Sequence, residues 1–191
     1  MRKLKLFMHV SLDGLVAGPN GEMDWIIVDD EIFDYVANEV DKADTAMYGR
    51  VTYQMMEAYW PTAGDQPNAS KHDKHHSSWY NKVAKIVLSK TMEEHTIGNT
   101  TVISDNLADE IKKIKDGPGT DIIIFGSPSA GHSLMAEDLI DDYWLFINPV
   151  LLGEGVSLFK NLKSLTNLSL LSNHQFPSGV VCLHYSKKTL Q

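Results

Sequence analysis

The chain has 191 residues, 43% apolar and 22% charged, which suits one soluble globular domain with room for a full hydrophobic core. Its net charge of −8 argues against a nucleic-acid surface, which needs clustered Lys and Arg. No apolar run approaches the roughly 18 residues that cross a bilayer, and the one cysteine, Cys182, reads as a buried, reduced thiol of a cytoplasmic protein.

Residues 4–10 make a first strand rather than a signal peptide, because the apolar part is short, alternates with Lys and lacks a small-residue cleavage site. Residues 11–23 form a loop rich in Gly, Asn and Pro. Asp29 or Asp30 caps a helix to about Lys42, with Ile32, Phe33, Val36, Ala37 and Val40 at helical spacing. Residues 45–48 make a short strand ending at Gly49, with a helix to follow, and a polar helix covers 71–82. Strands are expected at 85–88 and 101–104, and Asp105 caps a helix through Lys115 that stops at Gly117-Pro118-Gly119. Residues 122–125 have no polar alternation and belong at a sheet centre. A helix over 129–139 precedes three strands at 143–150, 165–172 and 180–186. Strands and helices alternating early, then strands alone, imply an α/β fold: a mixed, mostly parallel sheet with an antiparallel C-terminal edge hairpin.

An acidic protein binds an anionic cofactor only where backbone N–H groups and a few cations concentrate. The strand 122–125 ends at Gly126, and a helix starts within three residues of it, which offers free N–H groups to a phosphate at the carboxyl edge of a sheet. Gly126, Gly131, His132 and Ser133 have P-loop spacing, but His132 replaces the phosphate-binding Lys and Pro128 removes an N–H. A dinucleotide phosphate site, a P-loop and a plain turn all remain open there. Gly49 is a second strand end permitting close approach, followed by the Arg50 guanidinium and the Thr52 hydroxyl. A third, Leu88-Ser89-Lys90, adds a hydroxyl and a cation. Three such ends suit a pyrophosphate plus a 2′-phosphate.

Four segments occur in order: Ser11-Leu12-Asp13-Gly14, Tyr48 to Tyr53, Phe125-Gly126-Ser127-Pro128, and Asn148 to Gly155. Together they resemble the dihydrofolate-reductase-like family, in particular the stand-alone pyrimidine reductases of riboflavin synthesis (the RibD C-terminal domain), over residues 4–185. That resemblance implies a single domain with a central sheet of about eight strands, NADPH as hydride donor, a pyrimidine- or pterin-like small-molecule substrate and a homodimer. It further implies that Val10 and the loop through Asp13 border the nicotinamide, and that Gly49, Arg50 and Thr52 hold phosphates. Ser89 and Lys90 then lie near the adenosine 2′-phosphate, with Gly126, Ser127, Ser129 and Ala130 on the pyrophosphate. Dihydrofolate reductases carry Gly-Gly where this chain has Gly126-Ser127, so the pyrimidine-reductase branch fits better. A single cysteine cannot supply the zinc site of a deaminase half.

Trp25 and Asp30 have the spacing of the folate-site helix of dihydrofolate reductases, with Phe33 near the next expected aromatic. Asp30 is a candidate catalytic and substrate-recognising carboxylate, or only a helix cap. Asp13 is the second catalytic candidate, or only a turn residue. His72, His75 and His76 share a helical face that could ligate a metal but reads as a solvated face. Trp60, Trp79 and Trp144 read as packing residues. The rival functions are a true dihydrofolate reductase, a non-catalytic NADP(H)-binding module and a P-loop nucleotide binder.

Overall fold

In the computed structural model, which describes residues 1–92, 96–160 and 162–188, the first strand β1 (Leu4–Ser11) is buried on both faces. Leu4, Leu6, Met8 and Val10 enter one core and Phe7 another. Lys5 shares the second face, its ammonium 2.8 Å from Glu39 and 2.8 Å from Asp121. A buried cation with two carboxylates is satisfied rather than orphaned.

The chain continues through β2 (Leu15–Ala17), α1 (Asp30–Val40), β3 (Ala43–Gly49), α2 (Arg50–Ala63), α3 (Lys71–Lys82) and β4 (Ala84–Leu88). It then forms β5 (Thr96–Ile97), β6 (Thr100–Ile103), α4 (Leu107–Asp116), β7 (Asp121–Phe125) and α5 (Pro128–Ala136). The remaining strands are β8 (Asp142–Asn148), β9 (Val156–Ser157), β10 (Leu168–Gln175) and β11 (Val181–Lys187).

Nine strands make one sheet in the order β10-β11-β8-β1-β7-β3-β4-β6-β5, and β2 pairs with β9 apart from it. The run from β8 to β6 is parallel, whereas β11, β10 and the short β5 are antiparallel. The α/β class, the parallel majority and the C-terminal edge hairpin are as the element order implies. β7 takes the middle place, and Ile122, Ile123 and Ile124 are fully buried. Residues of α4 and α5 (Ile111, Leu134, Met135) cover one face. Those of α1, α2 and α3 (Ile32, Trp60, Tyr80) cover the other, so the fold has three layers.

Two expectations are corrected, and three short strands stand where none was expected. Asp105 does not cap α4; Asn106 holds that place in a left-handed conformation, with no side-chain cap. The strands β2, β5 and β9 are two or three residues long, too short to leave a periodic signal. The histidine face of α3 is packed rather than solvated. The His72 ring stacks on Phe33 at 3.5 Å, and His76 is buried 4.1 Å from the Trp60 ring. His75 alone reaches outward, 3.0 Å from Asp41.

Candidate functional site

Strands β3 and β7 are neighbours, and their carboxyl ends meet. The Gly49 N–H donates to the buried Ser127 hydroxyl at 2.7 Å. Gly126 (φ 55°) and Ser127 (φ 62°) turn the chain sharply into α5, where Pro128 occupies the first turn and its missing N–H is no loss. A Cβ on Gly49 would lie 2.5 Å from Ser127 Oγ, so only glycine lets the two strand ends touch. Two motifs distant in sequence thus form one site. Gly131 lies inside α5, its N–H bonded to Ser127 O at 2.9 Å, so the segment lacks the phosphate-wrapping loop that a P-loop needs.

The helix caps distinguish this edge of the sheet from the rest of the molecule. Helices α1 and α3 are capped by side chains, Asp29 to the Ile32 N–H at 2.9 Å and Ser70 to the Asp73 N–H at 3.0 Å. Helices α2, α4 and α5, which follow the carboxyl ends of β3, β6 and β7, have no side-chain cap. In α2 and α5 the first-turn N–H groups and positive dipole ends are left for solvent or an anion, whereas the Asp109 N–H of α4 bonds to Asn106 O at 3.0 Å and Asp109 and Glu110 make that first turn acidic. Arg50 is exposed at the start of α2, with Gln54 at 3.2 Å its one hydrogen-bond partner among the described residues, and Thr52 is half-buried in the first turn of that helix. Ser129 is exposed and Ala130 buried at the start of α5. At the third strand end Leu88 packs against the core, and Lys90 is exposed. The Ser89 hydroxyl accepts from the Thr91 and Met92 N–H groups, so it builds its own turn.

β1 outruns its neighbour. It pairs with β7 only as far as Phe7 with Phe125, but with β8 as far as Ser11 with Asn148. Residues 8–11 therefore have no strand partner on the β7 side, beyond the end of the central strand. Val10 turns its side chain into the core and is buried. His9 is on the opposite face and half-buried, its ring stacked on Phe146 at 5.0 Å. Burial lowers its pKa to about 4. It was missed as a site residue; the available signal was one polar side chain in an otherwise apolar stretch just before Ser11.

Asp13 accepts from the Ser11 hydroxyl at 2.6 Å, from the Gly153 N–H at 2.7 Å and from the Leu152 N–H at 3.2 Å. The Ser11 bond above all, then the Gly153 N–H, lowers its pKa to about 2. That carboxylate ties two loops together and is too weak a base to carry a proton at neutral pH. Asp30 is not the cap of α1, which Asp29 supplies. It is exposed and lines a cleft of about 130 Å³ with Asp34, Ser70, Lys71 and His72. A neighbouring cleft of about 340 Å³ runs between α1 and α3 along Asp34, Ala37, Asn38, Lys71, His72 and His75. Phe33 belongs to this group through its stack on His72, whereas the Trp25 indole N–H turns to Glu22 O at 3.1 Å.

The fold and the motifs have known counterparts. The sequence profile of the RibD C-terminal domain family matches residues 2–182. The uncharacterized protein YyaP of Bacillus subtilis (strain 168) is 36% identical over 188 residues, covering 96% of this chain and 94% of its own. A diaminohydroxyphosphoribosylaminopyrimidine deaminase/5-amino-6-(5-phosphoribosylamino)uracil reductase from Thermotoga maritima superposes with a TM-score of 0.67 at 13% identity, over 98% of this chain and 57% of that one. Dihydrofolate reductase from Enterococcus faecalis, complexed with NADP(H), gives 0.62 at 13% identity over 98% and 97%. The fold is that of dihydrofolate reductase, and the chain belongs to the RibD C-terminal domain family.

Proposed function

We propose that this protein is an NADPH-dependent reductase that delivers a hydride to a C=N or C=O bond of a pyrimidine- or pterin-like ring. The observation that carries this reading is the cap pattern: the helices left without side-chain caps are the three that start at the carboxyl edge of the parallel sheet. An extended polyanion spanning those ends would complete them. NADPH is such a polyanion, and it supplies the hydride when bound.

In this reading the first-turn N–H groups of α2 and α5, with Arg50 and Thr52, hold phosphates. Lys90 adds charge for a 2′-phosphate, and the Gly49–Ser127 contact sets the spacing of the two helix starts. Residues 8–10, which have no strand partner on the β7 side, border the reacting ring. Asp13 positions the loop at Gly153 rather than donating a proton. Asp30, free of the capping role, can accept two N–H bonds from an amino-substituted ring edge. Holding donor and acceptor rings face to face is where the rate enhancement arises.

Relatives named as reductases, the Thermotoga and Enterococcus proteins among them, support an oxidoreductase of small molecules. Among the described residues no helix is long and apolar enough to cross a membrane. A homodimer has a candidate face on the edge strand β10, where Leu170 and Leu171 are exposed.

The test is to follow NADPH oxidation with dihydrofolate, oxidised pterin and a phosphoribosylated aminouracil. Turnover of the aminouracil supports the pyrimidine-reductase branch, whereas methotrexate-sensitive turnover of dihydrofolate supports a true dihydrofolate reductase. NADPH binding with no oxidation across the panel supports a non-catalytic module.

A further inference from the structure

We infer that His9 touches the substrate, donating a hydrogen bond from Nε2 to a carbonyl oxygen or unprotonated ring nitrogen of the ring being reduced. The inference rests on the reductase reading for the nature of that ring, but the orientation of His9 follows from the hydrogen bonds alone.

The orientation starts at Asn148, which is fully buried. Its Oδ1 accepts from the Ile27 N–H at 2.9 Å, and its Nδ2 donates to the Phe146 carbonyl at 3.0 Å. One partner can only donate and the other can only accept, so the amide has one permitted orientation. Its Nδ2 also lies 3.3 Å from His9 Nδ1, which must therefore accept. With Nδ1 unprotonated, the proton of the neutral imidazole is on Nε2.

That N–H is unused. Among the described residues Nε2 has no hydrogen-bond partner, and it is not one of the polar atoms sealed from solvent. Asn148 belongs to β8, on one side of β1, and the five-membered ring directs Nε2 away from it. On the other side of β1, the pairing with β7 has already ended at Phe7 and Phe125. Phe146 beneath the ring and Phe125 at the end of β7 give that face an apolar floor. Burial keeps the imidazole neutral, pulling its pKa down to about 4.

A fixed donor with no acceptor selects a ring that presents an oxygen or bare nitrogen there. When hydride forms the new C–H bond, the π pair of the C=N or C=O moves to the heteroatom. The bond from His9 strengthens as that charge grows. A neutral imidazole holds its remaining proton too tightly to give it up, so the heteroatom takes its proton from water. The product is the C–H/N–H or C–H/O–H compound.

The experiment compares His9→Leu, which keeps bulk without a donor, with His9→Gln, which restores an N–H. Binding of oxidised pterin and of uracil is read by tryptophan fluorescence without cofactor, beside NADPH binding and the histidine ¹⁵N spectrum. His9→Leu is expected to weaken ring binding about threefold to tenfold, the worth of one neutral hydrogen bond. His9→Gln should recover part of that, with NADPH affinity unchanged in both. The wild-type spectrum should show the Nε2–H tautomer, with Nε2 shifting when the ring binds. A His9→Leu variant that binds both rings as tightly as wild type overturns the inference. So does an equal loss of ring and NADPH binding in both variants, which would mark a packing role. Wild-type protein that binds neither ring also overturns it. Failure to bind NADPH alone would instead strike the reductase reading, leaving the ring comparison to judge His9.

Discussion

Asp13 and Asp30 look equivalent in sequence, two carboxylates in loop or cap positions near an expected ring site. The structure separates them by their partners. Asp13 is engaged by a hydroxyl and two N–H groups, while Asp30 makes no cap and faces a cleft. Asp13→Asn should therefore loosen the loop it holds: hydrogen exchange at the Leu152 and Gly153 amides should speed up, with little change in global melting. Unchanged exchange there would mean that the clamp is idle. Among the described residues Arg50 makes no ion pair, which leaves its charge available to a ligand. Arg50→Ala should weaken NADPH by about 1.5–3 kcal/mol, the range for a hydrogen bond to a charged group. NADH should lose less if the contact is to the 2′-phosphate; equal losses would place Arg50 on the pyrophosphate. Neither Asp13's contacts with Leu152 and Gly153 nor the His9–Asn148 pairing was legible in sequence, because each spans well over a hundred residues.

At the scale of elements, strand and helix placement was legible wherever a full period was present, as in α1, α3 and β7. The Gly49 and Gly126 turns were each visible as strand ends, but their mutual contact was not, since it depends on β3 and β7 being sheet neighbours. That contact can be tested directly. Gly49→Ala should cost about 1–3 kcal/mol in a urea melt, the usual range for overpacking. The penalty should shrink in a Ser127→Ala background, where the oxygen it strikes is gone. Additive costs in the double variant would show that the two turns do not meet. The histidines of α3 teach the complementary lesson. A polar stretch at helical spacing reads as solvated, yet an aromatic neighbour from α2 buries His76 and one from α1 stacks on the half-buried His72.

For the whole molecule, buried neutral histidines set the response to acid. Burial lowers His9 from 6.5 to about 4 and His76 to about 3. The unfolded chain binds these protons at ordinary histidine pKa, so stability is fully present above about pH 6.5 and falls as pH drops toward the folded values. Between pH 7 and pH 5 each histidine should withdraw about 2 kcal/mol, seen as a fall in the urea midpoint. The depressed carboxylates Glu39 and Asp142 add their own losses only at lower pH, within the carboxylate range. A flat midpoint from pH 7 to pH 5 would mean that the histidines are not buried as described.

The central claim concerns the edge of the sheet as a whole: we propose that the uncapped starts of α2 and α5 form one dinucleotide site. The most direct test is a titration of tryptophan fluorescence with NADPH, NADH and ATP. Micromolar NADPH binding with NADH markedly weaker is the expected result. No binding of NADPH, or a preference for ATP, would contradict the account.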